Sequence, residues 1–116
     1  MRILDVETIG AAEAERLTPH LIEGEAVYAA FSATTGSVVF TARRILIVQR
    51  EHLLEAKVET SSYPYREVRR FAIQEGAGGR TALRIWLGDE EHPLHLRAGP
   101  GTDLGPLQRL LADRLG

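Results

Sequence analysis

Histidines, hydroxyls, carboxylates and arginines are the residues through which this chain could do chemistry, and their spacing decides how much. His92 and His95 stand three residues apart in an apolar stretch. Two imidazoles share a metal ion only when the backbone aims both at one point. In an extended strand an offset of three sends them to opposite faces. His20 and His52 read as isolated turn residues. Gly76-Ala77-Gly78-Gly79 would cradle a phosphate only ahead of a helix N-terminus whose amides point at the anion. It falls between two strand-like segments, so it reads as a hairpin connection. Ser61 and Ser62 have no base in a defensible order beside them, and Asp89-Glu90-Glu91 reads as a solvated turn. The chain has no cysteine, which removes disulfides and thiolate metal sites. No metal, cofactor or catalytic activity is expected.

The arginines are the better case for binding. Arg43, Arg44, Arg66, Arg69 and Arg70 form a candidate anion or lipid patch. Residues 41–70 carry seven basic against four acidic side chains, a net +3, whereas residues 1–25 carry two against six, a net −4. Such segments can attract each other within a chain or between chains, though a mixed solvated surface is the commoner outcome for exposed charges. The net charge of the whole chain, −2, argues against a nucleic-acid partner. Within the basic set Arg44 reads as a structural residue that bridges strands or meets a carboxylate, with Thr41 bonding across the turn.

The elements that must position these groups follow from periodicity. At 116 residues the chain is long enough for one core without metal or disulfide support. Asp5–Leu17 is rich in Ala and Glu and reads as a helix with a weak apolar face, closed by Thr18-Pro19. A helix this marginal needs a surface to lie against. Ala26–Ala33 follows as a strand, then a turn at 34–37. Val38–Phe40 and Ile45–Val48 form two dense apolar strands around the break 41–44. Both their faces are apolar, so both must be covered. Leu54–Thr60 alternates as a half-buried strand, and Ser61-Ser62 loosens the chain. Val68 falls out of phase with Phe71 and Ile73, which predicts a bulge at Arg69-Arg70. Thr81–Leu87 and His92–Arg97 form a hairpin in which Ile85 opposes Leu94 and Leu83 opposes Leu96. Its outer face then holds Trp86, with Arg84 beside His95. Thr102 or Asp103 caps a last helix whose stripe is Leu104, Leu107, Leu110, Leu111 and Leu115.

Three ordered signatures stand out in this series: Leu21-Ile22-Glu23-Gly24-Glu25, then Val39-Phe40-Thr41-Ala42-Arg43-Arg44-Ile45-Leu46-Ile47, then Tyr63-Pro64-Tyr65-Arg66-Glu67-Val68-Arg69-Arg70-Phe71. In these the chain resembles the bacterial pleckstrin-homology family over residues 20–115. The resemblance implies a mainly β fold, a seven-stranded antiparallel barrel of two orthogonal sheets capped by a C-terminal helix. Residues 1–19 would be a helical arm and 20–116 the domain. It also implies a non-enzymatic module and homo-oligomers, pentameric rings among them. Eukaryotic relatives of that fold hold inositol phosphates with basic residues in the first hairpin loop. Here that loop, Thr34-Thr35-Gly36-Ser37, has none.

The expected function is therefore self-association, with Val39, Leu46, Val48 and Trp86 as the candidate interface. Val39, Leu46 and Val48 lack obvious cover except the weak N-terminal helix or a neighbouring subunit. A peripheral anionic-lipid adaptor using the five arginines is the second reading. No run reaches the roughly 20 apolar residues of a membrane span. Asp5 and Glu7 stand where a signal peptide would be basic and then apolar, so a cytoplasmic location is expected.

Overall fold

The computed structural model describes residues 2–18, 21–51 and 57–115. Its elements are β1 (Arg2–Thr8), α1 (Ala11–Leu17), β2 (Val27–Ala33), β3 (Gly36–Thr41), β4 (Arg44–Glu51), β5 (Lys57–Pro64), β6 (Val68–Glu75), β7 (Thr81–Leu87), β8 (Leu94–Ala98) and α2 (Gly105–Leu115), with short 3-10 turns at Tyr65–Glu67 and Ala77–Gly79. The strands form one eight-stranded sheet in the order β5-β4-β3-β2-β1-β8-β7-β6.

The first strand corrects the sequence reading in two ways. There are eight strands rather than seven, and the helix read over Asp5–Leu17 begins only at Ala11. Residues Arg2–Val6 pair in parallel with Leu94–Ala98, while Glu7 and Thr8 pair antiparallel with Ser32 and Phe31. β1 thus stitches the two halves of the sheet together. A local signal existed, since Val6 is buried between exposed Asp5 and Glu7. The Ala- and Glu-rich stretch after it obscured that alternation.

One core fills the concave side of the sheet. Phe31, Val38, Phe40, Ile45 and Ile47 from one half meet Leu83, Ile85, Leu94 and Leu96 from the other, and Leu104, Leu107, Leu110 and Leu111 close the end. Phe31 and Phe40 meet edge to face at 6.1 Å. Residues from both halves share that core because the sheet is strongly curled. Strand twist makes this curling the natural outcome for a sheet of many strands. The final helix is as expected, with the Asp103 carboxylate accepting the Gly105 N–H at 2.9 Å. Leu115, however, stays 36% exposed at the end of the stripe.

The hairpin of β3 and β4 pairs Val38 with Ile47, Val39 with Leu46 and Phe40 with Ile45. Its second apolar face is covered by the chain itself. Val39 and Leu46 form a smaller cluster with Ala30 and Ala14, and Ile9, Leu21 and Val27 pack around it. The small side chains of Ala14 and Ala30 let α1 lie close on the sheet. We expect Ala14→Leu to lower stability by about 1–3 kcal/mol, because extra carbons in a filled contact force the helix away. A urea titration checks this, and a midpoint unchanged from the native chain would mean that α1 does not hold this position.

The predicted bulge is present between Val68 and Arg70. The β7–β8 register is as read, with Leu83 opposite Leu96, Arg84 opposite His95 and Ile85 opposite Leu94. β5 differs: Ser61 and Ser62 continue the strand opposite Ile47 and Leu46. Val58, read on the buried face of a half-buried strand, is 53% exposed on this edge strand. Leu54, Ala56, His20 and His52 lie outside the described residues. Among the described residues no helix is long and apolar enough to cross a membrane.

Candidate functional site

The three signature segments converge in space on one buried carboxylate. Glu25 lies just before β2, Thr41 ends β3, Arg44 opens β4, and Tyr65 follows β5. The Glu25 side chain is fully buried. Its Oε2 accepts from the Thr41 hydroxyl at 2.6 Å and from Arg44 Nε at 3.0 Å. Its Oε1 accepts from Arg44 Nη2 at 3.0 Å and from the Ile22 N–H at 3.1 Å. The Thr41 hydroxyl oxygen also accepts the N–H groups of Arg43 and Arg44, each at 3.1 Å. The Tyr65 hydroxyl donates to the Thr41 carbonyl at 2.6 Å.

This arrangement holds Glu25 ionised. Its pKa falls to about 2, chiefly through the Arg44 hydrogen bond, while burial pulls the other way. Burial raises the Tyr65 pKa, which keeps the phenol protonated as a donor. A carboxylate with four donors on it and so low a pKa is a poor proton acceptor. The cluster therefore ties the first strands to the turn before β6. It also takes Arg44 out of the anion-binding set, because its guanidinium is forked onto Glu25.

The other chemically loaded surface is the outer face of β6, β7 and β8. Leu83, Ile85, Leu87, Leu94, Leu96 and Ala98 are buried in the core. The alternate residues Arg84, Trp86, His95 and Arg97 must then point outward. Trp86 is half-buried. The Arg70 guanidinium lies 4.6 Å from its ring centre and that of Arg84 lies 5.8 Å away. Arg84 faces His95 across the β7–β8 pairing, and Arg97 follows on the same face of β8. The imidazole pKa of His95 is lowered, first by burial and then by Arg84 and Arg97. Arg84 Nε and His95 Nε2 are both buried with no hydrogen-bond partner among the described residues. Asp5, on β1, accepts a two-pronged contact from Arg97 at 2.9 and 3.1 Å.

An open cleft of about 940 Å³ runs into this row; Glu7, Thr34, Arg80, Thr81, His95 and Arg97 are among its lining residues. Thr81 Oγ1, like His95 Nε2, is buried there without a partner. Among the described residues no three metal-ligating side chains gather.

The Bacterial PH domain family matches residues 4–115. The chain belongs to that family. Relatives of this bacterial PH domain include the uncharacterized protein YjqA of Bacillus subtilis, 36% identical over 87 residues that cover 72% of this chain and 68% of YjqA. The uncharacterized protein YozO of the same organism is 26% identical over 105 residues, 90% of this chain and 91% of YozO. Among solved structures, a DUF1696-family protein with a pleckstrin-homology domain from Shewanella loihica superposes with a TM-score of 0.74 at 22% identity, over 95% of this chain and 97% of its own. A pleckstrin homology domain from Shewanella amazonensis gives 0.65 at 25% identity, over 91% and 98%. The family match spans both halves of the sheet and both helices.

The residues singled out in the sequence of this bacterial PH domain are dispersed. Val39, Leu46 and Val48 are at most 1% exposed within the single chain, so the reading of them as a contact surface is corrected. Trp86 alone of that set reaches the surface. Arg43 and Arg66 are exposed, Arg69 is exposed and donates to the Glu90 carbonyl, and Arg70 stacks on Trp86. Arg84, His95 and Arg97 were not placed among the site residues. The register that set Arg84 beside His95 already pointed to them.

Proposed function

We propose that this bacterial PH domain is a non-enzymatic interaction module that associates with itself in the cytoplasm. One observation carries the reading. Among the described residues the chain covers one outer face of its sheet with α1 and leaves the other without a covering helix, with a half-buried Trp86 beside two guanidinium groups. Stacked Trp and Arg side chains are the residues most enriched at the energetic centres of protein interfaces. Exposed Glu7, Glu13, Glu15 and Glu23 lie in the acidic N-terminal quarter. Opposite charges on different surfaces favour a head-to-tail contact, which closes into a ring when its rotation allows. A five-membered ring is the form the family resemblance suggests.

Light scattering at micromolar concentration tests this. The expected result is a mass above that of one chain for the native protein and a shift to monomer for Trp86→Ala. A strict monomer for the native protein sinks the proposal. The second reading, an anionic-lipid adaptor, would rest on Arg43, Arg66, Arg69 and Arg70 without Arg44. Sedimentation with anionic vesicles that shows no preference over neutral ones removes it.

A further inference from the structure

Resting on the reading that the bare face is a contact surface, we infer that it takes carboxylates: its partner is an acidic segment of a protein laid across β7 and β8 against Arg84, His95 and Trp86. Several independent features lead there. Arg70 and Arg84 have no carboxylate partner among the described residues. Arg84 is only partly exposed, and its Nε is buried with no acceptor among the described residues. A buried donor left without a partner is costly, and the cost disappears when an acceptor arrives. The second orphaned nitrogen, His95 Nε2, belongs to the residue opposite Arg84 on the neighbouring strand. Opposed residues on paired strands have Cβ atoms about 5 Å apart, so Arg84 and His95 belong to one patch that a single acidic side chain can meet. The neutral imidazole favoured by its lowered pKa can present Nε2–H to that carboxylate.

The same row already holds one carboxylate in the required manner. Asp5 sits on Arg97 through two parallel contacts, one strand over. That pair is the geometry we expect to be repeated at Arg84 by a side chain from outside. The row from Arg70 through Trp86 and Arg84 to His95 crosses three strands of an extended sheet face. Donors spread along such a line suit several carboxylates on an extended segment better than one compact anion. Trp86 then supplies the apolar contact beneath the segment, and the cleft at His95 and Arg97 gives it room to continue. A lipid surface fits less well, because Trp86 and Arg84 are both half-buried in the sheet face rather than projecting from it.

Trp86 is the sole tryptophan of the chain, so its fluorescence reports on this face directly. The probe is a glutamate-rich decapeptide, with a glutamine-rich decapeptide of equal length as the control and phosphatidylserine vesicles as the other anionic surface. The expected result is a saturable change in Trp86 emission with the glutamate peptide, weakened by salt, and none with the glutamine peptide. Arg84→Gln should weaken binding by about tenfold or more, the cost of losing a charge-assisted contact. Arg84→Lys should fail to restore it, because lysine has no Nε fork. Circular dichroism and the urea midpoint of each variant show that loss of binding is not loss of fold. Equal binding of both peptides, unchanged binding by a folded Arg84→Gln, or a response to vesicles alone overturns the inference. Self-association that persists through Trp86 while the glutamate peptide fails to bind leaves the interaction module standing and removes only the carboxylate partner. Binding of the glutamate peptide to a strict monomer does the reverse.

Discussion

Glu25→Ala should lower the unfolding free energy by about 3 kcal/mol, the lower end of the cost of breaking a buried ion pair. The magnitude follows from what is left behind. Arg44, with its side chain only 21% exposed, loses the acceptor for two guanidinium contacts. The Ile22 N–H loses its acceptor too, and the Thr41 hydroxyl is left with the Arg44 carbonyl at 3.2 Å in place of its 2.6 Å contact to Glu25. Each orphaned donor in a half-dry site adds its own desolvation penalty. Equilibrium urea unfolding read at Trp86 measures the change, with an unaltered denaturant slope marking a pure stability effect. Replacing Glu25 and Arg44 together by methionine should recover much of the loss, since removing both charges leaves none unpaired. A single variant as stable as the native chain would show that the cluster does not hold the fold.

The same carboxylate sets an acid limit. Its pKa is about 2 in the folded chain against 4.5 for a free glutamate, so its contribution is complete above pH 4.5. As the pH falls from 4.5 toward 2 the unfolded chain takes up a proton before the folded one does, and stability drops. The full difference is on the order of 3 kcal/mol at a little over 1 kcal/mol per pH unit. A Glu25→Gln variant should lose this part of the acid dependence, a comparison made by urea titrations across the same window.

Gly36→Ala should cost about 3 kcal/mol, at the upper end of what overpacking does. A Cβ built on Gly36 would stand 1.9 Å from the Val48 carbonyl oxygen and 3.0 Å from its carbon. Both are backbone atoms, so no side chain can swing aside. β3 and β4 must separate at this end, where Arg50 donates its N–H to the Thr35 carbonyl at 2.8 Å. The disturbance reaches both cores, because this hairpin places Val38 and Phe40 inside and Val39 and Leu46 under α1. Gly99→Ala is the control. A Cβ there meets nothing within 4 Å, and a change within about 0.5 kcal/mol is expected. Similar midpoints for the two variants would mean that the close approach at Gly36 is not real.

The candidate site was less legible than the fold. The outward pairing of Arg84 with His95 followed from matching Leu83 to Leu96, a period-two pattern that needs only local sequence. That Arg84 and His95 would each keep an orphaned nitrogen depends on what surrounds them in three dimensions. Likewise Arg44 could be read as a bridging residue, yet nothing local named Glu25, 19 positions earlier, as its partner. Spacing along the chain carries no information about which distant carboxylate the folded sheet brings to it.

Apolar runs and their periodicity determined by themselves that β2 to β4 and β6 to β8 are strands, where the bulge falls and which leucines of α2 face inward. Those properties arise from contacts between near neighbours and from side chains that alternate with the backbone. Tertiary structure decided that Arg2–Thr8 is a strand against the helical preference of the chain that follows: the Asp5-Val6-Glu7 alternation is short, and the main partner, β8, lies some 90 residues away. It also decided the question raised by the two-faced hairpin. α1 folds back over Val39 and Leu46, so the outer face that α1 leaves uncovered is the one that carries Trp86. That outcome turns on which of two apolar or aromatic surfaces a short helix can reach, a property of chain geometry rather than of any residue's preference.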